Sequence, residues 1–184
     1  MTYTAKGGGS VTEQYTGFSK LLHWLVAICV IVMIPIGLTM NYVGPGTLQN
    51  VFYTIHRSLG VLVLGLMIIR LLNRLIVGAP PPEPTLTAVQ RAVSHVVHMA
   101  LYALLIAQAL IGWVGTSAFG AAISFFGLFQ VPDLVGKDQS LSEPLFAAHF
   151  WIGLLITALV LMHIGAALYH GIIRRDGVMQ RMLP

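Results

Sequence analysis

The sequence predicts an all-α fold: an integral membrane four-helix bundle running up and down, with both termini cytoplasmic. Three observations carry that prediction. Four long apolar runs occupy residues 18–40, 51–76, 92–116 and 145–173, to within a residue or two. Only 9% of the 184 residues are charged and 57% are hydrophobic, whereas soluble domains carry about 25% charged residues. The basic residues also sort by side. Lys6, Lys20, Arg70, Arg74, Arg91, Arg174, Arg175 and Arg181 fall at one end of a four-span path, and only Arg57 and Lys137 at the other.

Each run meets the ~20 residues a helix needs to cross ~30 Å of hydrocarbon. Length without period-two alternation selects helices over strands. The positive-inside rule places the basic end in the cytoplasm. Loops 41–50 and 117–143 then face outward; in a bacterium that means an inner-membrane protein with these loops in the periplasm. The same sorting removes the net charge of +4 as a nucleic-acid signal.

Residues 1–16, "MTYTAKGGGSVTEQYT", are polar and Gly-rich. Lacking an apolar h-region, they read as a flexible tail rather than a signal peptide. Residues 17–184 read as one domain. Loop 41–50 is short and holds Gly-Pro-Gly, so the first two helices are antiparallel neighbours. "GAPPPEP" ends the second helix in a stiff turn. Within the longest loop, "AAISFFGLFQ" is apolar but too short to span, and is expected to lie along the membrane interface. Cys29 is the only cysteine, which excludes a disulfide within the chain.

All seven histidines, His23, His56, His95, His98, His149, His163 and His170, fall within or at the edge of a span. Ionisable groups there are costly and mark function. By depth, His56 and His149 form an outer layer, and His23 and His163 an inner one with His95 and His98 close by. His149 and His163 are 14 residues apart, about 21 Å along the helix and about 40° short of four full turns. His170 follows seven residues later, about 20° short of two more turns. All three share one face, which must look into the bundle.

Two imidazoles on different helices can hold one haem iron from opposite sides, and 14 residues separates two such centres where seven does not. Gly60 and Gly153 lie one turn past His56 and His149, and "GAA" at 165–167 lies near His163. Small residues there let a flat ring approach the backbone. Zinc fits less well, for the spans hold no carboxylate beyond Glu143 at the mouth of the fourth. A proton pump would also show carboxylates. No CxxCH is present, so any haem is non-covalent. Two axial histidines leave no position for oxygen, which suits electron transfer.

"KLLHW", "YTIHRSLGVLVLGLMIIRLLNR", "SHVVHMALY", "AAHFWIGLLITALVLMHIGAALYH" and the terminal "QRMLP" together resemble the bacterial cytochrome b561 family. That family is related to the dihaem cytochrome b subunits of formate dehydrogenases and nickel–iron hydrogenases. The resemblance covers residues 17–184. It implies two haem b groups, one between His23 and His163 and one between His56 and His149. Depth alone leaves His95 and His98 as rival inner ligands. The resemblance also implies a quinone near the inner haem, with His170 as the candidate contact and Lys20 and His95 as weaker ones. An imidazole can give or take a proton near neutral pH. A structural alternative is an interfacial His170 bonded to phosphate or backbone. Arg57 is a candidate for pairing with a haem propionate or steering an anion, or for simple snorkelling. Arg70 and Arg74 read as positive-inside residues only.

The resemblance points to electron transfer from superoxide to ubiquinone across the membrane. The alternative is a relay subunit whose outer loop docks a periplasmic redox donor. A third reading, of a different class, is a haem-free transporter or anchor with structural histidines. Beyond lipid and quinone, a homodimer is a candidate assembly.

Overall fold

A computed structural model describes residues 14–184 of the chain. Most of the expected tail, residues 1–13, lies outside the described residues. Four helices account for most of the rest: α1 (Gly17–Thr39), α2 (Thr47–Val77), α3 (Ala88–Phe119) and α4 (Gln139–Leu168). Each is long and apolar enough to cross a membrane. The chain is thus a multi-pass membrane bundle.

Local chemistry sets the ends. Thr16 caps α1 by accepting from the Ser19 amide at 3.2 Å. A full capping box starts α3, with Thr87 and Gln90 satisfying one another's backbone amides. Asp138 accepts from the Leu141 amide to open α4. Gly78 and Gly120 end α2 and α3 at φ of 80° and 83°, a region that favours glycine.

α3 and α4 run further into the long outer loop than hydropathy indicates, leaving only residues 120–138 between them. "AAISFFGLFQ" is not a single apolar strip: it folds into an antiparallel hairpin, β1 (Ile123–Phe125) and β2 (Phe129–Val131), seated on α2. Phe126 and Gly127, both at positive φ, make its turn. Ser58 of α2, fully buried, donates to the Ser124 carbonyl at 2.9 Å and accepts from the Phe126 amide at 3.0 Å. Paired strands satisfy their own backbone, which a flat apolar strip could not do.

Close packing runs from α1 to α2, α2 to α3 and α3 to α4. Among the helices, α4 is close-packed on α3 alone, so its other faces stand off from α1 and α2. The mid-depth core joins Val26, Cys29 and Val30 of α1 to Val63 and Met67 of α2. It lies between the two histidine layers. At the basic end, α4 passes into a π-helical turn, Tyr169–Arg174. The C-terminal segment then folds back, and Met182 accepts from Trp24 Nε1 at 2.9 Å.

Candidate functional site

At the hairpin end, His56 of α2 and His149 of α4 face each other with ring centroids 6.0 Å apart. Given metal–imidazole bonds of about 2 Å, that gap admits one metal atom between facing nitrogens. His149 Nδ1 donates to the Gln108 carbonyl at 3.1 Å. A carbonyl only accepts, so the proton sits on Nδ1 and the Nε2 lone pair is free for a metal. Gln108 Nε2 in turn donates to the His149 carbonyl at 2.7 Å, clamping the two helices. His56 Nδ1 is buried without a partner among the described residues. The protein alone leaves that imidazole unsatisfied, as expected of a group awaiting a ligand.

Two glycines seat these rings. A Cβ on Gly37 would meet His56 Cε1 at 2.9 Å, and one on Gly112 would meet His149 Cε1 at 2.9 Å. A cavity of about 340 Å³ opens beside both rings, with Gly60 and Gly153 also in its wall. Arg57 borders this cavity; its guanidinium lies 5.2 Å from the Tyr53 ring centroid and donates to the Ala122 carbonyl at 3.4 Å. Standing ring pair, glycine seats and slot together fit a flat metal macrocycle.

At the basic end, His163 of α4 faces two imidazoles. His23 of α1 lies at 6.1 Å and His98 of α3 at 5.2 Å, centroid to centroid. His95, one turn before His98 on α3, is exposed, and among the described residues no ring contact joins it to His163. Lys20 donates to Gln14 Oε1 at 2.7 Å. Arg70 is not merely a positive-inside residue. It turns into the bundle, donating through Nε to the Tyr102 hydroxyl at 2.9 Å and through Nη1 to His23 Nδ1 at 3.0 Å. A guanidinium has no acceptor, so His23 Nδ1 must be the acceptor here. The neutral ring then carries its proton on Nε2. Metal binding at Nε2 therefore requires Arg70 to release Nδ1.

His170 lies in the π-helical turn, 9% exposed, with Nδ1 on Asp176 Oδ2 at 2.5 Å. It bonds a carboxylate rather than a backbone group. Arg174 Nε reaches the same oxygen at 3.3 Å. Burial opposes ionisation of Asp176, but hydrogen bonds from His170 and Val178 and the charges of His170 and Arg174 outweigh it. The carboxyl is held below its usual range.

Gly37, Gly112, Gln108, Tyr102 and Asp176 escaped the sequence reading. Gln108 carried a signal, being the only amide side chain between residues 92 and 116. The glycines carried none, because what makes them seats is a ring on another helix.

The family model "Prokaryotic cytochrome b561" matches residues 14–184. "Cytochrome b561 homolog 2" of Escherichia coli K12 is 34% identical over 174 residues, spanning 93% of this chain and 92% of that one. "Probable superoxide oxidase CybB" of Yersinia pestis is 29% identical over 172 residues, 94% and 97% of the two chains. "Cytochrome b561 homolog 1" of E. coli K12 is 29% identical over 129 residues, 70% and 73% of the two. With four spanning helices and facing histidines at two depths, the match over residues 14–184 means that this chain belongs to the prokaryotic cytochrome b561 family.

Proposed function

We propose that the chain is a dihaem cytochrome of the bacterial inner membrane that passes electrons from superoxide on the outer side to ubiquinone at the basic, cytoplasmic end. One observation carries the reading: α4 presents His149 and His163 to imidazoles of other helices at 6.0 and 6.1 Å, 14 residues apart. Superoxide as donor is supported by the name of the Yersinia pestis relative.

In this reading His56 and His149 hold the outer haem, and His23 and His163 the inner one. Held there, the haems would supply one-electron redox chemistry. The residues do the rest. Gln108 fixes the His149 tautomer. Arg57 draws an anion toward the outer cavity it borders. His170 meets the quinone at the basic end. The reaction balances as two superoxides and two protons with one ubiquinone, giving two dioxygen and one ubiquinol. At the outer end no protein acid or base is required, since superoxide leaves as dioxygen after losing one electron.

The test is a haem count on the purified chain and on single His→Ala variants. Two haems per wild-type chain are expected, and one each for changes at His23, His56, His149 and His163. The inner pairing fails if His98→Ala removes a haem while His23→Ala does not. Mixing with superoxide then addresses the donor. Absence of haem reduction defeats the superoxide assignment and leaves a relay subunit served by a periplasmic redox protein.

A further inference from the structure

We propose that Asp176 is a positioning residue for quinone reduction: it holds the Nδ1 proton of His170 and so makes Nε2 the atom that exchanges a proton with the quinone. The inference rests on the reading of His170 as the quinone contact.

The backbone is built to deliver this carboxylate. α4 widens into the π-helical turn at Tyr169, a distortion found often at functional sites. Arg175 follows at φ 52° and Gly177 at φ 88°, both in the left-handed region. Asp176 sits between them, and the reversal aims its side chain back at the turn it has just left. Gly171 permits the closure, because a Cβ there would collide with Met179. The Asp176 side chain is 6% exposed. Its Oδ2 bonds His170 Nδ1 at 2.5 Å, and its Oδ1 accepts from the Val178 amide at 3.3 Å.

An ionised carboxylate can only accept, so Nδ1 carries the hydrogen in both states of the ring. The neutral ring then has its lone pair at Nε2, and the cation has N–H there. Nε2 has no hydrogen-bond partner among the described residues. The charged neighbours are few. Arg174 shares Asp176 Oδ2 at 3.3 Å, while its Nη1 is drawn to Gln90 Oε1 at 3.2 Å. The Tyr169 ring stands edge-on, 5.6 Å from the imidazole.

Reduction of a quinone to a quinol takes two electrons and two protons. The electrons come one at a time from the b-type haem of the proposed function. As the quinone gains an electron, the proton on His170 Nε2 passes to the oxygen it faces. The N–H bond breaks, an O–H bond forms, and the lone pair returns to Nε2, which is recharged from the aqueous end. Water there supplies the proton of the other oxygen. Asp176 stays ionised throughout, orienting the ring and stabilising its cation, as the carboxylate of a hydrolase triad does.

The experiment uses the full-length, haem-loaded protein, pre-reduced with dithionite and mixed rapidly with ubiquinone-1 while haem reoxidation is followed. Asp176→Asn is expected to slow the saturating rate roughly tenfold to a hundredfold. Its half-saturating quinone concentration is expected to move less than about threefold, the mark of an effect on the reacting step. Its haem spectrum is expected to match the wild type, and Asp176→Glu to recover most of the rate. An impaired His170→Ala with a wild-type Asp176→Asn overturns the role of Asp176 alone. A wild-type rate in His170→Ala overturns the quinone contact and the inference with it. If Asp176→Asn does not assemble, ¹⁵N shifts of His170 in the wild-type chain decide. A proton on Nδ1 in the neutral ring is expected, and an Nε2–H tautomer overturns the proposal.

Discussion

At the scale of single residues, this site depends on atoms that are missing. Gly112 leaves the His149 ring a space in which an added Cβ would come within 2.9 Å of it, and Gly37 does the same for His56. Gly112→Ala must push the His149 ring off the Gln108 carbonyl or part α3 from α4. Overpacking of this kind costs about 1–3 kcal/mol. The expected outcome is loss of the hairpin-end haem with the other retained, read from the haem-to-protein ratio. Gly136→Ala is the contrast, since Gly136 is exposed in the loop before α4 and nothing lies within 4 Å of its added Cβ, and both haems are expected to remain. Arg70 makes a different case. Its partners are a phenol and an imidazole, with no carboxylate among them. A positive charge beside the basic-end centre favours the reduced form. Arg70→Gln is therefore expected to lower the potential of that haem and Arg70→Lys to keep most of it, as spectroscopic redox titration would report.

At the scale of elements, one hydroxyl ties the hairpin to α2 beside its buried Ile123 and Val131. Ser58 both donates to the Ser124 carbonyl and accepts from the Phe126 amide. Ser58→Ala leaves a part-buried amide and carbonyl without this partner, at a cost of about 1 kcal/mol. Faster hydrogen exchange confined to residues 121–131 is the expected result, with the haem content unchanged. The hairpin also marks where the sequence stopped being legible. The helices announced themselves through long apolar runs, and the histidine layers through a spacing of 14 that helical geometry converts directly to depth and face. Three-residue strands have no such period, and their pairing depends on Ser58, more than sixty residues away. Arg70 was misread for the same reason: charge counting gives the end of a helix, not the direction of a side chain. Nothing in the sequence marks Asp176, because the π-helical turn that brings it back to His170 has no sequence signature.

At the scale of the whole molecule, everything proposed depends on which end faces which compartment. Among the described residues, the basic end carries Lys20, Arg70, Arg74, Arg91, Arg174, Arg175 and Arg181, and the hairpin end only Arg57 and Lys137. That imbalance sets orientation during insertion. On the proposed function, the cavity beside His56 and His149 faces the outer donor, and the His170–Asp176 pair faces the cytoplasm as the source of protons for the quinone. The chain offers a clean background for a direct test, because its single cysteine, Cys29, is buried in the core. Gln130 of β2 and Gln180 near the C-terminus are both exposed, at opposite ends of the bundle. In a Cys29→Ala background, Gln130→Cys is expected to react with a membrane-impermeant maleimide on intact spheroplasts. Gln180→Cys is expected to react only after the membrane is opened. The reverse pattern would put the hairpin in the cytoplasm, and the flow of electrons from an outer donor to a cytoplasm-facing quinone site would have to be abandoned.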